Sequence, residues 1–508
     1  MKRRQFLAGS ASLLALTAQS NQLFAQSFAA SLPSQITDLD ATELSLAIRM
    51  KLLSCEEVMA AYLKHIHRYN PTYNAIVALQ EDNLLLEAAR IADQELAQGI
   101  YHGWMHGMPH AIKDLEAVKG LPVSYGSPLF EDYIAETDDP LPASIRRAGA
   151  IFIGKTNTPE FGLGSQSYNP VYGATGSAWN PELTAGGSSG GAASGLGTHM
   201  LPVADGSDMM GSLRNPGAFN NVIGFRPSAG LMGGGNAFTR DLATTGPMGR
   251  NTRDAVRLLN TIMPKPGLDA PQALWSAAEN VAAPASLKLK GLKLAWLSDF
   301  DGYLAMESGV LPLCESALSN VTDAGAAIEK ITPQFDMADL WDCWLTLRNL
   351  SRVGMREWYE DPQKRPRLKP ELQWEIEQSY ALTAEDISRA KATRSRWYTE
   401  LQRLFDTYDF LLLPSAQVFP FDKNVHWPGT VGGRKMDTYH RWMEVVIPGS
   451  IPGLPVANLP AGFDSQRRPM GIQVMGPYGD DAKVLGFAAA YEGITDFLAQ
   501  RPVLVERY

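Results

Sequence analysis

An α/β fold is predicted for this 508-residue chain from three observations. Short apolar runs bounded by Gly, Pro or Asp recur along it. Amphipathic segments with helix-capping signals lie between those runs. No internal repeat or low-complexity tract interrupts the alternation. With 45% hydrophobic and 19% charged residues and only 3 Cys, the chain can bury a large core without disulfides, which excludes disordered, collagen-like and disulfide-scaffold classes.

The elements follow in order. Met1-Lys2-Arg3-Arg4-Gln5-Phe6-Leu7 sets three cations before a weakly apolar stretch, Phe6 to about Ala18, too short for a permanent membrane span. The Arg pair before Phe-Leu resembles a twin-arginine export signal. Residues 1–25 are expected to be removed, with cleavage after Ala25 or as late as Ala29. A periplasmic or secreted protein that folds before export is the corresponding location. No later run approaches the roughly 18 apolar residues of a spanning helix, so no membrane span is expected in the mature chain. Cys55, Cys314 and Cys343 are an odd set without metal spacing, read as buried free thiols.

Asp40-Ala41-Thr42-Glu43 reads as a capping box, after which Leu44, Ala47, Ile48 and Leu52 share one helical face. A second box at Ser54 and Glu57 opens a helix with Val58, Ala61, Tyr62, Ile66 and Tyr69 inward, expected to end at Asn70-Pro71. A third helix is expected from about Glu81 to Gln98. Ala150–Gly154, Leu292–Trp296 and Phe410–Pro414 read as buried strands, and Val310 to about Asp323 as a helix between strands. Residues 340 to 405 are strongly helical and carry Trp341, Trp344, Trp358, Trp374 and Trp397, suited to core packing or to lining a site. A single catalytic domain over 35–505 is favoured over three domains.

The densest Gly and Ser run is Gly186-Gly187-Ser188-Ser189-Gly190-Gly191-Ala192-Ala193-Ser194-Gly195. Glycine lets a backbone approach a ligand closely, so the run is a binding loop or a linker. It lacks the Gly-Lys-Ser/Thr ending of a phosphate loop. Gly187-Ser188-Ser189-Gly190-Gly191 fits a G-x-S-x-G elbow with Ser189 as nucleophile, but Trp179–Ala185 before it reads as turn chemistry. The later histidines, His199, His426 and His440, are not where that architecture needs one. A second constellation uses more residues. Lys113 follows the apolar pair Ala111-Ile112, where burial should lower its pKa. Ser212 follows the run Asp205-Gly206-Ser207-Asp208-Met209-Met210-Gly211, whose amides could converge on one point. A neutral lysine acting through a hydroxyl could deprotonate such a serine.

These segments, with Asn70-Pro71-Thr72-Tyr73-Asn74-Ala75, Gly107–Asp114, Gly154–Phe161, Gly224–Ser228, Gly453–Val456 and Gly471–Gln473, resemble the amidase signature family in order and spacing. The resemblance covers most of the mature chain. It implies a mixed central β-sheet covered by helices on both faces, and a Ser-cisSer-Lys triad for amide hydrolysis. Carried over by position, Lys113 is the base, Ser188 the bridging serine with a cis peptide bond, and Ser212 the nucleophile. The backbone amides of Met209, Met210, Gly211 and Ser212 match the oxyanion hole, and Ser189, Asp208 and Arg214 the residues that hold these loops.

Most members have glycine at Met210 and commonly threonine at Ser207. The Met side chain favours apolar, flexible acyl groups. The Ser207-Asp208-Met209 run resembles a subset acting on cyclic amides and 6-aminohexanoate-type amides. The helical region at about 340–450, with its Trp residues and Met443, is the counterpart of the family's substrate channel. The expected partner is a small-molecule amide, with no cofactor, no metal and a homodimer left open as the assembly. An esterase or carbamate hydrolase with the same triad is the nearest alternative, and a catalytically inactive binding protein a more distant one. A net charge of -9 opposes a nucleic-acid partner and, with the leader, opposes a tRNA-dependent amidotransferase subunit.

Overall fold

The computed structural model describes residues 27–232, 242–264 and 287–505. The leader over 1–25 lies outside the described residues apart from the alternative cleavage point at Ala29. Both predicted capping boxes form, with Asp40 and Glu43 exchanging side-chain and backbone bonds before helix Ala41–Arg49, and Ser54 and Glu57 doing the same before helix Cys55–Tyr73. The second helix does not stop at Asn70-Pro71 but continues to Tyr73. Pro71 removes one N–H bond in the last turn. The Asn70 side chain compensates by accepting from the amides of Ala75 and Ile76 and donating to the Ile76 carbonyl, and Asn74 ends the helix in the left-handed region. The third helix runs Asp82–Ala97.

The central sheet has eight strands, in the spatial order Ala327–Lys330, Lys293–Trp296, Phe410–Pro414, Pro469–Met475, Val456–Phe463, Ile223–Arg226, Thr244–Gly249 and Ala204–Asp208. The first three are mutually parallel and the remaining pairings antiparallel, so the sheet is mixed. Phe410–Pro414 and Pro469–Met475 are buried at every position. Because successive side chains point to opposite sides, both faces of the sheet are covered there. Helices Val310–Asp323, Arg214–Asn220 and Asp481–Glu492 supply that cover. Most buried apolar side chains belong to one contiguous core cluster, which also takes in Trp341, Trp344 and Trp397 of the helical region, while Leu163, Leu368, Leu372 and Ile376 form a smaller second cluster. The three cysteines are buried free thiols. Among the described residues, no helix is long and apolar enough to cross a membrane.

A second sheet of three strands positions the chemistry. Pro109–Lys113 runs parallel to Ile151–Thr156, which pairs antiparallel with Ile76–Val77. Its junction with the edge of the main sheet is polar: Asp205 accepts from the Lys113 amide at 3.3 Å and contacts His110 Nε2 at 3.1 Å, with both side chains buried. Trp179–Ala185 is not simply turn chemistry, since Asn180–Thr184 forms a short strand paired with Gly176-Ser177. That strand belongs to a two-stranded hairpin apart from the main sheet, and it alternates between exposed and buried positions.

Candidate active site

Lys113 closes the strand Pro109–Lys113 with its ammonium 1% exposed. Burial pulls its pKa down from 10.5 to about 7, against the raising influence of Asp205, Asp208 and Glu116. Nζ lies 2.8 Å from Ser188 Oγ, 2.8 Å from Ser189 Oγ and 3.0 Å from Ser207 Oγ. A lysine with three hydroxyl partners and no carboxylate at hydrogen-bond distance of Nζ can work as a base near neutrality.

Ser188 and Ser189 sit immediately before helix Gly190–Gly197, and the Gly187–Ser188 peptide bond is cis. The glycines here answer to close approach. A Cβ on Gly191 would lie 2.2 Å from the Asn157 nitrogen, and Gly186, at φ +73°, would strike the Asn215 side chain at 2.4 Å. Ser189 Oγ reaches Lys113 directly, and the Ser189 amide donates to the Ser212 carbonyl at 3.3 Å, which ties the two loops together.

Ser212 follows the edge strand Ala204–Asp208 and a tight turn in which Gly211 has φ +79°. Asp208 organises that turn. It accepts from the amides of Gly211 at 2.9 Å and Leu213 at 3.2 Å, and from Arg214 Nε at 3.0 Å and Nη2 at 2.9 Å. Burial disfavours its charge, but Arg214 and Arg226 outweigh that and hold the carboxyl well below the usual aspartate range. The bond from Gly211 turns this amide, expected among the oxyanion donors, to Asp208. Arg214 also donates to the Val446 carbonyl at 2.8 Å, to Gln473 Oε1 at 2.6 Å and to Ser450 Oγ at 2.6 Å. The Gly471–Gln473 motif thus meets the serine loop at this guanidinium.

Ser212 opens into a cavity lined by Gly162, Gly164, Ser165, Met209, Met210, Trp344, Arg348, Tyr439 and His440. A Cβ on Gly162 would stand 3.5 Å from Ser188 Oγ, so the Ser188 hydroxyl lies beside the same cavity wall. Among the described residues no hydrogen bond joins the Ser188 and Ser212 hydroxyls directly.

Of the tryptophans in the helical region, Trp344 reaches this cavity. Trp397 donates to the Pro448 carbonyl at 2.9 Å, and Trp358 packs with Phe130 and Phe161. Met443 is fully buried against Asn215 and is not among the lining residues. Sequence reasoning passed over Ser207 as a partner of Lys113. The signal was available, since on a strand Asp205 and Ser207 share a face, and both contact Lys113. Arg348, Tyr439 and His440 carried no such signal. Glu95, His102 and His106 bring potential metal-ligand atoms within 4.8 Å of one another, but none of the three lines the cavity.

The amidase family profile matches residues 57–485. An acylamidase of Rhodococcus erythropolis is 30% identical over 469 residues, covering 91% of this chain and 97% of that protein. A bacterial aryl acylamidase belonging to the amidase signature enzymes superposes with a TM-score of 0.82 at 25% identity, over 92% of this chain and 99% of its own. A 6-aminohexanoate cyclic dimer hydrolase complexed with substrate gives a TM-score of 0.78 at 23% identity over 92% and 99%, a likeness of fold. A match of this extent in both sequence and fold means that the chain belongs to the amidase signature family and is an amide-hydrolysing enzyme.

Proposed function

We propose that the protein hydrolyses a small carboxamide through an acyl-enzyme on Ser212, with Ser188 as the relay and neutral Lys113 as the base. The observation that carries this reading is the buried Lys113 amine, held near pKa 7 and 2.8 Å from the Ser188 hydroxyl. Lys113 takes the Ser188 proton, Ser188 takes the Ser212 proton, and Ser212 Oγ attacks the carbonyl carbon. The amides of Met209, Met210 and Ser212 face the developing oxyanion. The proton returns through Ser188 to the leaving nitrogen, the C–N bond breaks and the amine departs. Water then attacks the ester by the same relay, releasing the carboxylic acid and restoring Ser212. The relay is complete without a metal or organic cofactor.

The acyl group lies against Met209 and Met210, whose flexible thioethers favour an apolar chain. Residues 1–25 act as a twin-arginine leader and the mature single catalytic domain works in the periplasm or outside the cell. The amino-terminal sequence of the exported protein checks the leader, and retention in the cytoplasm with Met1 still attached would refute it. The activity is tested by a screen of aliphatic amides, anilides, peptide amides, cyclic amides and matched esters with the purified mature protein. Amide turnover that disappears in Ser212→Ala is expected. Ester turnover alone would favour the esterase reading, and full amide activity in Ser212→Ala would overturn the scheme.

A further inference from the structure

The cavity beside Ser212 carries an unusual polar balance. Arg348, 5% exposed, contributes its guanidinium to the lining. Its Nε bonds Glu375 Oε1 at 2.7 Å, but Nη1 meets only the Met209 thioether at 2.7 Å, and Nη2 the Tyr439 hydroxyl at 3.4 Å. A thioether is a weak acceptor, so the outer edge of this guanidinium is poorly satisfied.

Glu375 does not balance the charge. Arg352 Nε takes its second oxygen at 2.7 Å, and the Tyr439 hydroxyl also donates to it, so two buried guanidinium groups share one carboxylate. His440 adds no charge near neutrality, because burial holds its pKa at about 3. The next charged set places Lys369 3.7 Å from Glu371, with Glu160 accepting from the Lys369 amide at 2.8 Å, so charge is balanced over the wider cluster.

Two more polar atoms from the cavity lining lack a partner. Among the described residues the fully buried Trp344 indole N–H, which can only donate, finds no partner, and neither does His440 Nε2, whose ring partner Nδ1 lies 2.8 Å from Thr438 Oγ1. Buried polar atoms ordinarily find partners, so underused donors beside a guanidinium describe the ligand they are built for. That ligand is rich in acceptors.

We propose that Arg348 and Trp344 form a carboxylate-binding subsite, and that the preferred substrate is an amide whose acyl chain ends in a carboxylate. The apolar stem lies along Met209 and Met210, and the terminal carboxylate meets the Arg348 edge and the Trp344 N–H. The acyl placement rests on the Ser212 mechanism proposed above, whereas the anion subsite does not.

Isothermal titration of the full mature chain with glutarate and adipate, which mimic the released diacid, tests the subsite without requiring turnover. 1,6-Hexanediol serves as the neutral control. Adipate or glutarate should bind at least about tenfold more tightly than the diol, and Arg348→Met should weaken them at least about tenfold, the loss expected for a charge-assisted bond. Should Arg348→Met fail to fold, Trp344→Phe keeps an aromatic ring at the site and removes the N–H. It should weaken the diacids about threefold or more while leaving the diol unchanged. Diacid affinity equal to that of the diol, or unaltered in folded Arg348→Met or in Trp344→Phe, overturns the proposal. Arg348-dependent diacid binding without turnover of any amide would leave the subsite standing and sink the acyl-transfer reading. Turnover of neutral amides without diacid binding would do the reverse.

Discussion

Asp208 and Arg214 form a fully buried, two-pronged ion pair, with Nε and Nη2 at 3.0 and 2.9 Å and neither side chain exposed. The pair links the turn that presents Ser212 to Gln473 and Ser450. Asp208→Asn leaves Arg214 and Arg226 without their carboxylate and should destabilise the fold by about 3–5 kcal/mol, read from urea unfolding. The pH dependence follows from the lowered aspartate pKa. The pair contributes fully above the ordinary aspartate range, and the contribution is lost only as pH falls through the depressed folded value.

Lys113 gives a slope of the same sign in a higher pH window. Its folded pKa of about 7 lies below the ordinary lysine value of 10.5, so between those values the unfolded chain binds more protons and this residue makes stability rise with pH. In the proposed mechanism activity requires the neutral amine. The kcat/KM of the wild type should climb about tenfold per pH unit below about pH 7 and level off above it. A rate that stays flat from pH 5 to 9 would exclude Lys113 as the base.

Members of a relay fail together. Ser212→Ala and Lys113→Ala should each lower kcat at least about 1000-fold, and the double variant should be little worse than the poorer single one. Losses that multiply in the double variant would show that the two residues act independently.

Ser207 completes the hydroxyl set around Nζ at 3.0 Å. Ser207→Ala removes one net hydrogen bond and should lower kcat/KM about five- to tenfold with little change in melting temperature. Ser207→Thr, which restores a hydroxyl, should recover most of the rate.

Met210 is 7% exposed and shares the cavity with Ser212. Met210→Ala should cost about 2–5 kcal/mol of stability, and the opened space should raise turnover of branched relative to straight-chain acyl anilides. Comparing the two kcat/KM values in wild type and variant reads the shift directly.

The helices and strands were legible wherever a local rule was strong. Asp40 with Glu43 and Ser54 with Glu57 are capping boxes because a side chain three residues away is the nearest group able to satisfy an orphan amide. The rule that proline stops a helix failed at Pro71, where Asn70, itself within the helix, accepts from the Ala75 and Ile76 amides just past its end. For Lys113, Ser188 and Ser212, order and spacing along the chain pointed to a family pattern. The Gly211 amide could not be assigned that way, since its direction depends on where the Asp208 carboxylate turns.

The sequence by itself determined the α/β alternation, the capped helices and the residue types able to form a lysine-and-serine relay, because these depend on contacts within a few residues or on a fixed linear pattern. Only the tertiary structure decided which hydroxyls surround Lys113, that the Gly211 amide turns to Asp208, and that Arg348, Trp344 and His440 share a cavity with Ser212. Those relationships join residues up to several hundred positions apart. Direction, burial and charge balance there are set by packing, which no local pattern encodes.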